Sequence, residues 1–192
     1  MIQNTPLHGR IIFVYAGNMG VAQGMPTLLQ LIEASNDHPE LGFLIVGRGS
    51  EKVKMTEFIA KRKLSNTVVC EEIDPFAIAD LFKQCHAGLL FLDQRHQTHN
   101  IPGKLTAYLQ SGLPVFAVVN PGNDLLELIP QYQIGEVDAS KDIEMLKSKL
   151  LSLARQIRQD TGIQQRTRDL ANILFNARAK AQQILVALEE HS

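Results

Sequence analysis

Pro102-Gly103-Lys104 is the place in this sequence best suited to hold an anion. It lies in the stretch NIPGKLTAYLQSGLPVFAV, Asn100 to Val118. Proline opens a helix, Leu105 to Gln110 continue it, and Ser111-Gly112 stop it. The first N–H groups of a helix have no partner inside it, and the dipole there favours negative charge. Gly103 lets another group approach the backbone closely, and Lys104 adds a mobile positive charge on the same turn. These features make a seat for a phosphate or carboxylate. The same residues also read as a plain helix-to-strand connection with a proline start and a glycine stop.

Other chemistry-bearing residues are sparse. Gly17-Asn18-Met19-Gly20 and Gly47-Arg48-Gly49 are glycine turns, but G-x-G-x-x-G is absent after the first apolar run and there is no P-loop. His96 and His99 stand three apart with His86 nearby, yet no Cys or carboxylate pattern completes a ligand set, so neither metal nor cofactor is expected. Glu71, Glu72 and Asp74 read as solvated loop carboxylates. No serine nucleophile elbow is present, and no catalytic residue can be assigned. Cys70 and Cys85 sit in apolar runs and read as small core residues, not as a disulfide.

The elements that must position these residues alternate. Short apolar runs at Ile11–Ala16, Leu41–Val46, Thr67–Cys70, Ala87–Leu92, Val115–Val119 and Ile134–Val137 predict buried parallel strands. Helices are predicted over Pro26–Ser35, with Leu28, Leu29, Leu31 and Ile32 on the apolar face, and over Glu51–Lys63, with Val53, Met55, Phe58 and Ile59 inward. Others run from Pro75 to Gln84 and over Asp124–Ile129. From Lys141 the chain reads as helical, capped by Asp138 or Ser140, interrupted at Thr161-Gly162 and continuing to about Glu189. The fold class is therefore α/β: a Rossmann-like parallel sheet of about six strands, with helices on both faces and at the C-terminus. Right-handed crossovers bring Gly17–Gly24, Gly47–Ser50, Glu71–Asp74 and His99–Lys104 to one sheet edge, where such folds bind ligands.

The totals narrow the class. At 192 residues, with 45% hydrophobic and 20% charged, the chain suits one globular domain over residues 10–192 after a disordered lead, 1–9. A formal net charge of -1 gives no field to draw nucleic acid. No stretch is long and apolar enough to span a bilayer, and MIQNTPLHGR lacks a signal-peptide core, so a cytoplasmic location is expected. Between Lys147 and Lys180 there are eight basic residues (147, 149, 155, 158, 166, 168, 178, 180) against two acidic ones (160, 169). They read as a solvated helix face, with contact to an anionic membrane at the inner face of the cell as the other reading.

VYAGNMGVAQGMPTLLQLI, FLIVGRGSE and IPGKLTAYLQSGLPVFAV, with the closing FNARAKAQQIL, resemble the C-terminal half of retaining, family-4 glycosyltransferases of the GT-B fold. The resemblance is to bacterial members acting in capsule, O-antigen and exopolysaccharide assembly. It implies a domain that holds a nucleotide-sugar donor, usually a UDP-sugar. It also implies that a glycan or lipid-linked acceptor is served by an N-terminal half that is missing here or separate. On that resemblance Gly17, Asn18, Met19, Gly20 and Gln23 face the diphosphate, while Gly47, Arg48 and Gly49 shape the nucleotide wall. Ile73 meets the base, and Pro102, Gly103, Lys104 and Leu105 carry the diphosphate contacts, with Tyr108 on the same helix. Two departures stand out. Ala107 occupies the position of the usual ribose-binding carboxylate, and Asn18 and Gln23 replace a common basic pair. Losing that carboxylate removes a charge-assisted hydrogen bond of roughly 1.5–3 kcal/mol. The alternatives are a non-catalytic, glycosyltransferase-like subunit that binds a partner protein and, third, a sugar-nucleotide epimerase.

Overall fold

The computed structural model describes residues 2–93 and 103–175. Six strands form one parallel sheet: β1 (Ile11–Ala16), β2 (Leu41–Val46), β3 (Thr67–Cys70), β4 (Ala87–Phe91), β5 (Val115–Val118) and β6 (Gly135–Asp138). Their order is β3-β2-β1-β4-β5-β6, so the chain reverses its direction of travel across the sheet between β1 and β4. The connecting helices are α1 (Met25–Ala34), α2 (Lys52–Arg62), α3 (Ile78–Phe82), α4 (Gly103–Ser111) and α5 (Leu125–Tyr132). Two more, α6 (Ile143–Gln159) and α7 (Ile163–Phe175), follow the last strand.

Alternation along each strand divides the core in two. Phe13, Tyr15, Phe43 and Ile45 point to the face covered by α1 and α6, where Leu28, Leu31, Leu146 and Leu150 meet them. Val14, Leu44, Val46 and Leu90 point to the other face, beneath Leu105, Leu109, Ile129 and Leu170. Each fully buried side chain of this size contributes about 1.5–3 kcal/mol. With both faces covered, the C-terminal edge of the sheet presents the strand-to-helix loops on one side.

Several local expectations give way to tertiary contacts. Residues 2–9 are not a loose lead: Ile2–Asn4 form a 3-10 turn, and Leu7 is fully buried. In α2 Met55 is buried and Phe58 and Ile59 pack partly buried against the same core, as expected, but Val53 is 66% exposed. The helix after Pro75 begins as a 3-10 turn over Pro75–Ala77, capped by the Asp74 carboxylate, and ends at Phe82. Helix α5 runs through Pro130 to Tyr132, and Gln133 then leaves it in left-handed backbone. Neither Asp138 nor Ser140 caps α6. Asp142 does, accepting from the N–H groups of Glu144 and Met145, because Asp138 is engaged by the Ser140 N–H and by Lys149 at 2.7 Å.

Within the basic stripe Lys147, Lys149 and Arg166 are paired with Asp37, Asp138 and Asp160. The continuation to Glu189, the FNARAKAQQIL segment beyond Phe175, and His96, His99, Ile101 and Pro102 lie outside the described residues. Among the described residues no helix is long and apolar enough to cross a membrane.

Candidate functional site

The point where strand order reverses is built from a short seam. β1 and β4 are in register only at Phe13–Ala87 and Val14–Gly88. Beyond each end of that seam a side chain replaces the missing ladder partner. At the start, His86 Nδ1 accepts from the Ile12 N–H at 3.0 Å. At the finish, the Tyr108 hydroxyl accepts from the Ala16 N–H at 3.1 Å and lies 3.2 Å from the carbonyls of both Val14 and Leu89. A Cβ on Gly88 would come within 2.4 Å of the Tyr108 ring, so the ring needs a glycine there. Burial holds the Tyr108 phenol well above its ordinary pKa, and it is a neutral donor and acceptor.

The first two loops are locked to each other at the open edge. The Gly17 N–H donates to the Val46 carbonyl at 2.9 Å, Met19 N–H to Arg48 at 2.7 Å, and Glu51 N–H to Met19 at 3.0 Å. Gly47, at φ 147°, passes so close that a Cβ there would lie 1.9 Å from the Gly17 carbonyl oxygen. Gly49, at φ 146°, would put one 2.6 Å from the Met19 carbonyl oxygen. These glycines exist for the crossing of two backbones.

Lys104, in the first turn of α4, reaches across to this pair of loops. Its Nζ donates to the Tyr15 hydroxyl at 2.8 Å and to Gln23 Oε1 at 2.7 Å, and lies 4.0 Å from the centroid of the Tyr15 ring. Burial pushes its pKa down to about 7. The mobile cation expected from sequence is a docked one. Beside it opens a cavity of about 230 Å³, walled by Gly17 and Gly47, by Ile73 from the loop after β3, and by Ala107 of α4. Lys104 and Glu72 are the charged residues on its lining, and Glu72 is paired with Arg48 at 3.2 Å.

Gly17, Gly47, Ile73 and Lys104 thus come together as expected from their places at the sheet edge. Asn18, Gly20, Arg48 and Gly49 lie on the same two loops without lining the cavity, and Gly103 sits at the exposed start of α4. Gln23 acts on Lys104. Met19, Leu105 and Tyr108 do not line the cavity; their side chains are fully buried and anchor the loops and α4 in the core. Tyr15 was missed, because an aromatic in an apolar strand reads only as core. Pro75, Ile78 and Phe82, which also line the cavity, carried no signal beyond apolarity. Among the described residues no group of three His, Cys, Asp or Glu side chains could hold a metal.

The family model for glycosyl transferases group 1 matches residues 2–168. The chain belongs to that family. No curated protein matches this chain in sequence. Solved structures share its fold. A point mutant of S. aureus TarM, in complex with fondaparinux, alpha-GlcNAc-glycerol and UDP, superposes with a TM-score of 0.73 at 16% identity, over 96% of this chain and 37% of that one. Anabaena Alr3699/HepE in complex with UDP-glucose also gives 0.73, at 14% identity, over 96% and 50% of the two chains. The C-terminal domain of a group 1 family glycosyltransferase, LpcC of Francisella tularensis, gives 0.67 at 14% identity, over 87% of each chain. The chain therefore spans half or less of the TarM and HepE chains, and its fold is that of a GT-B glycosyltransferase C-terminal domain.

Proposed function

We propose that this domain holds the nucleotide diphosphate of a UDP-sugar in the cavity beside Lys104, as the donor half of a retaining, family-4 type glycosyltransferase of bacterial polysaccharide assembly. The observation that carries the reading is the position of Lys104. It is an amine in the first turn of a helix, lining a mostly apolar cavity and facing the Gly17 turn, with its Cε 3.9 Å from where a Gly17 Cβ would lie. The base and ribose fit the apolar wall of Ile73 and Ala107, and the diphosphate fits the gap between Gly17 and the start of α4. The N–H groups in the first turn of α4 and the Lys104 ammonium then stabilise charge on the leaving diphosphate. UDP and UDP-glucose in the TarM and HepE structures support the choice of donor. The glycan or lipid-linked acceptor is brought by a second, N-terminal half or by a separate chain.

Calorimetric titration with UDP and then GDP, with Lys104→Ala as the control, tests the reading. Saturable UDP binding, weakened about tenfold or more in the variant, is expected from the loss of one charge-assisted contact. Equal affinity in the variant removes Lys104 from the site. No described contact favours the partner-binding subunit over this reading.

A further inference from the structure

Lys104 is cradled without an acid. Its two hydrogen-bond acceptors, the Tyr15 hydroxyl and Gln23 Oε1, are both neutral. The Tyr15 hydroxyl donates its own proton to the Asn18 carbonyl, and burial keeps the phenol from ionising. The groups facing Lys104 can be named element by element. β1 offers Tyr15, and the turn before α1 offers Gln23. The loop after β3 offers Glu72, already paired with Arg48, and α4 offers the positive end of its own dipole. Among the described residues no carboxylate pairs with Lys104. The amine is thus held in place by two neutral acceptors and the face of the Tyr15 ring, which favour its charge less than a paired carboxylate would.

We infer that Tyr15 and Gln23 are positioning residues that park Lys104 in a neutral cradle, so that a nucleoside diphosphate entering the cavity binds together with one proton, taken from solvent onto Lys104 Nζ. The inference rests on the nucleotide reading above. The resting amine has its pKa pushed down to about 7, so near neutrality it is only partly charged. A diphosphate beside it favours the ammonium and raises that value. Binding then weakens with rising pH, approaching tenfold per unit from about pH 7 until the bound-state value is reached. The cradle also fixes the starting point of the side chain. Lys104 spends two of its three N–H donors on the first loop and must release at least one to grip the ligand well.

Two measurements on the full chain decide this. The first follows the Lys104 Cε signals by NMR from pH 6 to pH 11 without ligand, assigned with Lys104→Arg. The second titrates UDP calorimetrically at pH 7, 8 and 9, above the last ionisation of the diphosphate. Lys104 is expected to titrate apart from the other lysines, near neutrality. Gln23→Glu, which keeps the side chain's shape, is expected to move it up towards them. UDP affinity should fall steeply between pH 7 and 9 in the parent and stay level in Lys104→Arg. In Gln23→Glu it should be about tenfold weaker at pH 7, because a carboxylate now competes for the ammonium, with the pH slope gone. Tyr15→Phe keeps the ring and removes one acceptor, and should loosen the cradle without unfolding the chain. Titration of Lys104 among the other lysines overturns the inference, as does UDP binding that ignores pH. Absence of UDP binding at every pH in a folded chain overturns the nucleotide reading itself, and with it the ligand named here.

Discussion

Replacing Tyr108 by Phe removes one oxygen atom from the seam where strand order reverses. The ring can stay, because its neighbours, Gly88 on one side and Phe82 at 5.2 Å between centroids, are unchanged. What is lost is the partner of the Ala16 N–H, which points into the gap left where β1 and β4 diverge. A buried donor left unpaired costs about 1–3 kcal/mol. The carbonyls of Val14 and Leu89 lose less, since one hydroxyl proton was shared between them at 3.2 Å each. A total of about 2 kcal/mol is expected. With a urea m-value of about 2 kcal/mol/M, the unfolding midpoint should fall by about 1 M, with m unchanged. In thermal unfolding the same loss is a drop of about 4–8 °C. UDP binding should weaken as well, because Gly17 follows Ala16 directly. A midpoint within about 0.2 M of the parent would refute the view that this hydroxyl closes the seam.

The other end of the seam predicts acid sensitivity. His86 Nδ1 is an acceptor, and burial lowers the imidazole pKa in the folded state. The unfolded chain therefore binds the proton more readily, so the stability from this contact is present above the ordinary imidazole range and is lost as pH falls through it. Urea midpoints between pH 8 and pH 5 should show that fall, with a smaller one in His86→Gln. Among the glycines, Gly47→Ala should cost at least about 2 kcal/mol and abolish UDP binding, since its Cβ would meet the Gly17 carbonyl. Gly103→Ala, where nothing lies within 4 Å, should leave urea unfolding unchanged or slightly improved. Ala107→Glu puts a carboxylate on the cavity wall beside the expected ribose. UDP affinity should rise by about tenfold in calorimetry, and no change would show that the wall does not meet the sugar.

Much of this architecture was legible from the chain alone. Ile11–Ala16, Leu41–Val46 and Thr67–Cys70 are strands with the expected bounds, because a short run of apolar, β-branched residues is its own signal. Alternation with helices implied the parallel sheet, and crossover handedness implied that Gly17, Gly47, Ile73 and Lys104 would share an edge. The helix expected after Pro102 and its stop at Ser111-Gly112 were also written locally, in residue types whose backbone preferences need no distant partner; its described part is Gly103–Ser111. Where the helix after Pro75 ends, and which Asp caps α6, depend on competing contacts that sequence spacing does not rank.

Only the tertiary structure decided what the site residues do. The resemblance alone names Tyr108 and Leu105 as donor contacts; packing shows that both side chains enter the core, where Tyr108 completes a seam set by strand splay. Gly47 and Gly49 read from sequence as a glycine turn shaping the nucleotide wall; Gly47 does line the cavity, and the structure adds that both are required by a backbone crossing with the earlier loop at Gly17 and Met19. Lys104 itself carries no hint that its partner is Tyr15, 89 residues away, because that contact exists only once β1 and α4 are packed side by side. Local sequence fixes backbone preference and polarity. The acidity of an amine depends on what surrounds it, and that is set by the packing of distant segments.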